Sequence, residues 1–349
     1  MEGDIEPGAS SILFQNSNKT IVCLDVPRTI EESQALPGQT ADRRILSTEP
    51  PSVPFPTPEP KNAEAQALIA GLSSPAAQLS RLMTCATVQS ALAELAKEYS
   101  GPLLLPRITE RMASSQRLPA EQKESRLYVP EHSHCLRGTI QDLRDDFMEA
   151  APKFDLIVMD PPWPNRSAKR KTRKLGGYST CEGFDETRDL LSLIPVQKHL
   201  ARKGLVAIWT TNSHSVVEMI TLPGGVLAEW GLELVGEWIW LKITSLGEPI
   251  VDPESTWRKP WERLLIAKRK DDPLVEVLDR RVLVGVPDMH SRKPNLRRLF
   301  DDVLDPGYLG LEVFARNLTA GWWSWGDEVT RFQAEGSWVL SNNRTKNDL

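Results

Sequence analysis

At 349 residues the chain can hold one sizeable domain and an appendage. Its formal net charge of −5 excludes a generally basic nucleic-acid-binding coat, so any polyanion must be met by local basic patches. The four cysteines are scattered without a Cys-x-x-Cys pair, and the chain has neither a basic and apolar leader nor an apolar run of membrane-spanning length. These features predict an intracellular, soluble protein without a disulfide framework, a zinc site or a membrane contact.

The beginning of the chain divides into a predicted hairpin and a predicted linker. In residues 1–48, the apolar stretches Ser11–Phe14 and Thr20–Leu24 flank Asn-Ser-Asn-Lys, which predicts a small structural hairpin. Residues 49–60 contain six prolines, a density that forbids a helix or a central strand and indicates an extended linker.

Residues 61–125 are predicted to form a helical accessory region. Apolar residues recur at helical spacing between Asn62 and about Ser100, with a break near Ser74 and Pro75, so we expect two amphipathic helices. Their apolar faces either pack on the following domain or provide a docking surface for a partner or RNA. Both interpretations stay open from the sequence.

An unbroken apolar run from Leu156 to Met159 leads into Asp160, two prolines and Trp163. The run is short, rich in branched residues and not alternating, which is typical of a strand that helices cover on both faces of a parallel sheet. Asp160 then lies at the carboxyl edge of the strand. This is the edge at which ligands bind in open α/β sheets.

The turn Asp160-Pro161-Pro162-Trp163 suits methylation of a conjugated amine such as the 6-amino group of adenine. Such an amine must be held by its hydrogens while its lone pair is drawn out of conjugation. The Asp160 carboxylate and the Pro161 carbonyl can accept these two N–H bonds, and rigid prolines limit reorganisation as charge develops. Trp163 offers a face on which the base can stack. The alternative is a strand that ends in a Pro-Pro stop with a buried tryptophan.

These four residues resemble the catalytic motif of the MT-A70 family of N6-adenine methyltransferases, and the extension to Arg170 most resembles its methyltransferase-like four branch. The resemblance covers residues 126–340 and leaves 341–349 as a tail. It implies an α/β protein with the permuted class I (Rossmann-like) S-adenosylmethionine-dependent methyltransferase fold and an N-terminal accessory region. In that fold the catalytic strand precedes the cofactor-binding strand. No Gly-x-Gly-x-x-Gly motif occurs, so a nicotinamide-binding fold has no support.

The segment Leu127–Ile140 is expected to supply a strand beside the catalytic one. In the family an acidic residue in this segment approaches the cofactor, and Asp142 is the nearest candidate here.

A basic loop follows Trp163, with six cations in residues 166–174. Such a run is a solvated surface, a nuclear import signal, or a clamp that holds phosphates beside a flipped base. Its place next to the catalytic turn favours the clamp. Tyr178 can stack on the substrate or pack in the core. The predicted substrate-binding residues in this region are Asn165, Arg166, Ser167, Lys169, Arg170 and Tyr178.

The segment Pro195–Arg202 predicts a helix and Leu205–Thr211 predicts a buried strand, so Asn212 emerges at a strand end. The family has a similar Trp-x-Thr-Asn at this point, and this chain has Trp209-Thr-Thr-Asn212. Asn212 either lines the substrate pocket or caps the following helix.

Strands are also predicted at Leu234–Lys242 and Leu264–Lys268. In the loop between them, Trp257 and Lys259 are predicted to contact the substrate. Trp261 either stacks on a base or fills the core.

The resemblance assigns the cofactor to residues in the last part of the chain. Lys293 begins a predicted helix that runs to Leu304, a place where the helix dipole disfavours a cation, and the family implies that it contacts the cofactor's carboxylate or ribose. Glu312 and Arg316 match the family's Glu-Leu-Phe-x-Arg signature, and a simple ion pair between them at the sheet edge is the alternative. The predicted cofactor-binding set is Asp160, Lys293, Glu312, Arg316, Asn317 and Asp327, the last at a position where the family usually has asparagine.

Together these features predict an enzyme that transfers a methyl group from S-adenosylmethionine to the N6 amine of adenine in nucleic acid, without a metal. RNA is favoured, with small nuclear RNA implied by the branch resembled, and DNA is an alternative. A catalytically silent RNA-binding scaffold is another alternative, but degenerate subunits lose the motif that is intact here. A glutamine methyltransferase is disfavoured by the basic loop. We expect the protein to act as a monomer in the nucleus, with cytoplasm as a further location.

Overall fold

A computed structural model describes residues 9–57, 74–109, 126–164, 183–255, 258–272 and 277–340. The thirteen strands among them are β1 (Ile12–Gln15), β2 (Ile21–Leu24), β3 (Arg43–Ser47), β4 (Ile108–Thr109), β5 (His134–Arg137), β6 (Phe154–Met159), β7 (Leu200–Thr210), β8 (Leu232–Lys242), β9 (Trp261–Arg269), β10 (Arg281–Gly285), β11 (Gly310–Val313), β12 (Trp323–Gly326) and β13 (Trp338–Leu340). The helices are α1 (Val26–Ser33), α2 (Pro75–Glu98), α3 (Ile140–Ala150), α4 (Phe184–Ser192), α5 (Val196–His199), α6 (His214–Thr221), α7 (Val226–Glu229) and α8 (Arg297–Phe300), with a 3₁₀ turn at Glu335–Ser337.

Ten strands form one sheet in the order β1-β2-β10-β8-β9-β7-β6-β11-β12-β5. All of them run parallel except β1 and β9. The catalytic strand β6 lies between β7 and β11, although β11 follows it by some 150 residues in the sequence. This order is the permuted Rossmann-like arrangement that the sequence predicts. The strand order reverses at β6, so the carboxyl ends of β6 and β11 form the crevice where such sheets bind ligands.

Alternate residues of β6 pack into two different cores. Ile157 and Met159 join one apolar cluster that α3, α4 and α6 cover, whereas Leu156 and Val158 face a second cluster closed by α8. Because both faces of the strand are buried, every position between Leu156 and Met159 must be apolar. This is the physical origin of the unbroken apolar run in the sequence.

The residues before the catalytic strand contribute to the main sheet as well as to a small second one. The predicted hairpin is present as β1 and β2, and β2 pairs in parallel with β10, so the hairpin extends the central sheet. Strand β3 pairs with β13 and β4 in the second sheet. Residues 48–57 contain neither helix nor strand, as the prolines predict. The division of the chain into the five predicted regions stays a prediction.

The second of the two predicted accessory helices is α2, which begins after Ser74 as its N-cap. Its residues Val88, Ala91 and Leu95 are buried in a cluster with the outer strands of the central sheet. This packing confirms the first interpretation for α2, whereas the first predicted helix lies in residues 58–73, outside the described residues. In the amino-terminal half of α2, Leu79 and Leu82 remain exposed.

Three expectations for local structure were wrong. The strand predicted in Leu127–Ile140 exists as β5, but it pairs with β12 at the sheet edge because β11 and β12 lie between it and β6. The helix predicted at Pro195–Arg202 ends at His199, since Leu200 already pairs with Phe154 in the sheet.

The helix predicted to start near Lys293 begins only at Arg297, and it is one turn long. The backbone N–H of Asn295 donates to the Thr29 hydroxyl at 3.0 Å, so tertiary contacts hold this segment outside a helix. Lys293 therefore does not oppose a helix dipole.

Among the described residues, no helix is long and apolar enough to cross a membrane.

Candidate active site

The turn that follows β6 is built by its two prolines. Strand β6 ends at Met159, and Asp160 is the first residue beyond its carboxyl end. The N–H of Trp163 donates to the Pro161 carbonyl at 2.8 Å, which closes a tight turn at once after the strand. The Pro161 carbonyl keeps a second lone pair, so it can accept another hydrogen bond.

Trp163 is part of the core rather than a free stacking face. Its side chain is buried in the cluster that covers one face of the sheet, and its indole Nε1 donates to the Trp209 carbonyl at 2.8 Å. The ring thus ties the turn after β6 to the end of β7. This observation supports the alternative of a buried tryptophan, and stacking on a base stays a prediction.

Two cations hold the Asp160 carboxylate. Lys293 Nζ lies 2.9 Å from Oδ1, and Arg316 Nη1 lies 2.7 Å from Oδ2. A carboxylate offers about four lone-pair directions, so these two contacts leave acceptor capacity on both oxygens. The two charged hydrogen bonds fix the orientation of the carboxylate at the crevice.

Lys293 is also held by Glu262, which belongs to β9. Its Nζ lies 3.0 Å from Glu262 Oε2 and 5.5 Å from the ring centre of Trp209, and Lys242 pairs with the same glutamate. Burial alone would raise the pKa of Glu262, but the charges of Lys293 and Lys242 outweigh it and lower that pKa to about 2. For Lys293, burial opposes the charged form, yet Asp160 and Glu262 raise its pKa above the ordinary value. The lysine is therefore a permanently charged, two-carboxylate-bound cation.

Glu312 is the carboxylate of the crevice whose burial is least compensated by neighbouring positive charge. It stands on β11 opposite Val158 of β6 and faces the same crevice as Asp160. Burial raises its pKa to about 7, and the negative charge of Asp160 adds to the effect, while Arg316 and Lys293 oppose it. Arg316, the alternative ion-pair partner of Glu312, binds Asp160 and, through Nε, Glu328 at 3.5 Å.

One crevice brings together most of the residues assigned to the cofactor. It is lined by Asp160, Lys293, Glu312, Arg316 and Asn317, with Trp209, Ser291 and Phe314 among its other walls. These residues come from β6, β11 and the segment after β10, which converge at the carboxyl edge. Their roles in binding stay predictions.

Other predicted site residues lie elsewhere. Asp327 is exposed after β12 and outside this crevice, although its neighbour Glu328 reaches Arg316. Asn212 donates to the Trp261 carbonyl at 2.5 Å, and Ser213 is the N-cap residue of α6, so the helix-cap interpretation of Asn212 was wrong. Lys259 donates to the Pro253 carbonyl at 2.8 Å and does not line the crevice.

The structure also shows the surroundings of Trp261 and Asp142, two residues that the sequence singled out. Trp261 is buried at the start of β9, so it fills the core. Asp142 accepts a hydrogen bond from the Thr139 hydroxyl at 2.7 Å in the first turn of α3, which gives it a local role in capping.

The predicted substrate-binding residues Asn165, Arg166, Ser167, Lys169, Arg170, Tyr178 and Trp257 lie outside the described residues.

The sequence reasoning missed Glu262 and Glu328. Glu262 directly follows Lys-Pro-Trp at the start of β9, whose middle residues are apolar and buried, and a carboxylate that borders such a stretch is a signal for a buried ion pair. Glu328 stands beside the Asp327 that was selected instead. Its sequence context gives no signal for the contact with Arg316.

The sheet order, the permuted chain and an Asp-Pro-Pro turn at the switch point define a Rossmann-like methyltransferase. The MT-A70 family model matches residues 154–328, which include the catalytic strand and every crevice residue named above. The chain belongs to the MT-A70 family.

Similar proteins support this assignment. A protein named N6-methyladenosine RNA methyltransferase MTA1 from Cryphonectria parasitica is 52% identical over 341 residues, which cover 95% of this chain and 95% of that protein. A protein of the same name from Pyricularia oryzae is 44% identical, over 96% of this chain and 98% of its own length. Human N(6)-adenine-specific methyltransferase METTL4 is 36% identical, over 52% of this chain and 38% of that protein.

Proposed function

We propose that this protein transfers a methyl group from S-adenosylmethionine to the N6 amine of adenosine in RNA. The observation that carries the proposal is the Asp160 carboxylate, held by Lys293 and Arg316 beside the Pro161 carbonyl at the carboxyl edge of the sheet. The names of the fungal relatives from Cryphonectria parasitica and Pyricularia oryzae favour RNA.

The crevice residues fit the methionine part of S-adenosylmethionine, which carries one carboxylate and one ammonium group. Lys293 and Arg316 would hold the carboxylate, and Asn317 stands beside them. Glu312 is a second carboxylate in the same crevice and would hold the ammonium group or a ribose hydroxyl. When bound, the cofactor supplies an electrophilic methyl group on a sulfonium.

The remaining chemistry belongs to the Asp160-Pro-Pro turn. The carboxylate and the Pro161 carbonyl would accept the two N–H bonds of the adenine amine and orient its lone pair toward the methyl group. Because cations and prolines fix these acceptors in advance, little reorganisation accompanies the developing positive charge. The amine can lose its proton to solvent after transfer, so a dedicated base is not required for the bond to form.

The RNA contacts are proposed for the basic loop after Trp163, with Asn165, Arg166, Ser167, Lys169 and Arg170. Tyr178, Asn212, Trp257 and Lys259 complete the proposed substrate surface. We also propose that the protein acts as a monomer and is located in the nucleus. The same basic loop would serve as the import signal.

DNA adenine is the second candidate substrate. The human relative's name specifies adenine without naming the polymer, and adenine presents the same amine in both. Mass spectrometry of nucleosides after incubation with matched RNA and DNA oligonucleotides tests the proposal. We expect N6-methyladenosine from the RNA, with more from unpaired than from paired adenines, because extruding a paired base costs a few kcal/mol. Methylation of DNA alone would replace the RNA proposal, and methylation of neither would favour a binding scaffold.

The clamp hypothesis for the basic loop has its own test. Replacing Lys169, Arg170 and Lys171 with alanine should flatten the slope of log affinity against log salt by about 2, since each neutralised phosphate contributes about −0.7 for a single strand. Binding should weaken on all sequences alike, with cofactor affinity unchanged. An unchanged slope would leave the loop as an import signal or a solvated surface.

A further inference from the structure

The segment between β10 and α8 carries Lys293 and has no regular structure of its own. Ser291 has a φ of 70°, in the left-handed region, so the backbone turns sharply just before Arg292 and Lys293. Lys293 extends from this turn to Asp160 at 2.9 Å, and the Ser291 carbonyl lies 3.4 Å from Arg316 Nη1. The geometry of the crevice therefore depends on what fixes this turn.

Arg292 points away from the crevice into a buried charged cluster. Its side chain is 1% exposed and pairs with Asp288, which is fully buried, and it donates to the Leu46 carbonyl at 2.8 Å. The backbone N–H of Thr48 donates to Asp288 Oδ1 at 2.8 Å, and the Thr48 hydroxyl lies 3.2 Å from the same oxygen. The turn is thus fastened to the stretch that follows β3.

Arg107 completes the cluster from the residues next to β4. Its side chain is 3% exposed and lies 3.8 Å from Asp288 Oδ1. It also donates to the Thr48 carbonyl at 3.1 Å and to the Val286 carbonyl at 2.9 Å. A single guanidinium therefore joins the end of β10 to the N-terminal stretch. Because its two donor nitrogens lie in one rigid plane, they hold the two segments in a fixed relation.

The far end of the segment is fastened in the same manner. The backbone N–H of Asn295 donates to the hydroxyl of Thr29 on α1, and its side chain donates to the Thr319 hydroxyl at 2.8 Å. Thr29, Thr48 and Arg107 all precede residue 154, where the match to the family model begins. Both ends of the lysine-bearing segment are held by chain outside that match.

We infer that the N-terminal part of the chain completes the cofactor site, with Thr48 and Arg107 acting through Asp288 and Arg292 to place Lys293 against Asp160. These are positioning residues, since Thr48, Arg107 and Asp288 do not line the crevice and the side chain of Arg292 is bound to Asp288. The inference rests on the proposed function and deepens it. Displacing a charged group by about 1 Å is enough to cost about a hundredfold in a preorganised site.

The test uses calorimetry of the full-length protein with S-adenosylhomocysteine, the demethylated product. Asp288→Asn removes the charge between Arg107 and Arg292, so we expect the Kd to rise at least tenfold while binding to an RNA oligonucleotide is unchanged. The matched control is Asp302→Asn, which removes the partner of another buried arginine, Arg281, at the opposite edge of the sheet. The control should bind the product with the wild-type Kd.

The folded fraction, measured by circular dichroism at the temperature of the titration, separates positioning from general stability. A partly unfolded variant raises the apparent Kd only by the inverse of its folded fraction, and a rise in Kd for Asp288→Asn no larger than that factor would overturn the inference. If Asp288→Asn does not fold, Arg107→Lys decides, because lysine keeps the charge but cannot donate to both carbonyls. A Kd raised threefold or more supports positioning, and a wild-type Kd overturns it. Wild-type protein that binds no product at all would instead refute the proposed cofactor.

Discussion

The two edges of the central sheet use buried charge in different ways. At the amino edge, Arg281 forms two hydrogen bonds to Asp302 at 3.1 and 3.2 Å, and Lys19 adds a 2.9 Å ion pair from the turn of the hairpin. At the carboxyl edge, Asp160 and Glu262 share Lys293, and Glu312 lies beside them with a pKa raised to about 7.

The charged groups at the two edges differ in burial and in energetic cost. At the amino edge the largely buried Arg281 is paired with the partly exposed Asp302, which also binds the exposed Lys19, and such ion pairs contribute little and cost little. The carboxyl-edge group buries two carboxylates whose pKa values shift in opposite directions, downward for Glu262 and upward for Glu312, at a cost that folding alone does not explain. Substitutions at the two edges should therefore have different consequences.

The largest contrast is expected for Asp160→Asn and Asp302→Asn. The first replaces the charged carboxylate that would hold the amine by a neutral amide with only one acceptor oxygen, so turnover should fall by about 10³-fold with the fold retained, as for other lost charge-stabilising contacts. The second should leave turnover within about twofold. Single-turnover methylation of an RNA oligonucleotide measures both, and an Asp160→Asn enzyme within tenfold of wild type would remove Asp160 from the mechanism.

Glu262 provides a contrast in acid stability. Its pKa, lowered to about 2, means that it stabilises the fold fully above pH 4.5 and that this contribution, at most about 3 kcal/mol, is lost as the pH falls toward 2. Urea unfolding at a series of pH values should show a shallower acid dependence for Glu262→Gln than for wild type. The exposed Glu248→Gln is the control, and identical profiles for all three proteins would contradict the prediction.

Arg316→Ala should weaken binding of S-adenosylhomocysteine at least tenfold, because it removes a cation from the proposed carboxylate site and frees Asp160. Arg281→Ala at the amino edge removes an arginine whose side chain is 10% exposed, against 16% for Arg316, and should leave the affinity unchanged. Calorimetry measures the affinity of both variants for S-adenosylhomocysteine. Equal affinities in Arg316→Ala and wild type would mean that the family's Glu-Leu-Phe-x-Arg role does not apply to this chain.

The smallest effect concerns one proton on Glu312. Because its pKa is raised to about 7, its stabilising contribution is present below pH 4.5 and is lost as the pH rises through 7. A bound ammonium group favours the ionised carboxylate, so cofactor binding at pH 7 should release roughly half a proton. Calorimetry in buffers of different ionisation enthalpy measures this release, which Glu312→Gln should abolish. Proton uptake on binding would place a different group of the cofactor at Glu312.

The sequence predicted the centre of the fold better than its connections. The catalytic strand was recognisable because both of its faces are buried, which forces a continuous apolar run, and Asp160 followed from its place at the strand end. The position of β5 was not predictable, because strands late in the chain insert between it and β6. The helix expected after Lys293 failed because a long-range contact to Thr29 overrides local propensity.

The hydrogen bonds of the catalytic turn extend through three neighbouring strands. Trp163 after β6 donates to the Trp209 carbonyl in β7, and Asn212 just beyond β7 donates to the Trp261 carbonyl at the start of β9. The next residue of β9 is Glu262, which binds Lys293.

Since Lys293 returns to Asp160, three residues before Trp163, these links form a closed ring around the crevice. In an open chain of contacts, breaking two links costs about the sum of the two losses. In a closed ring the first break already releases the constraint that the second link supplied, so a double-mutant cycle between Trp163→Phe and Glu262→Gln should give a coupling free energy of about 1 kcal/mol, although the two side chains lie on different strands. The site would then loosen as a single cooperative unit rather than residue by residue.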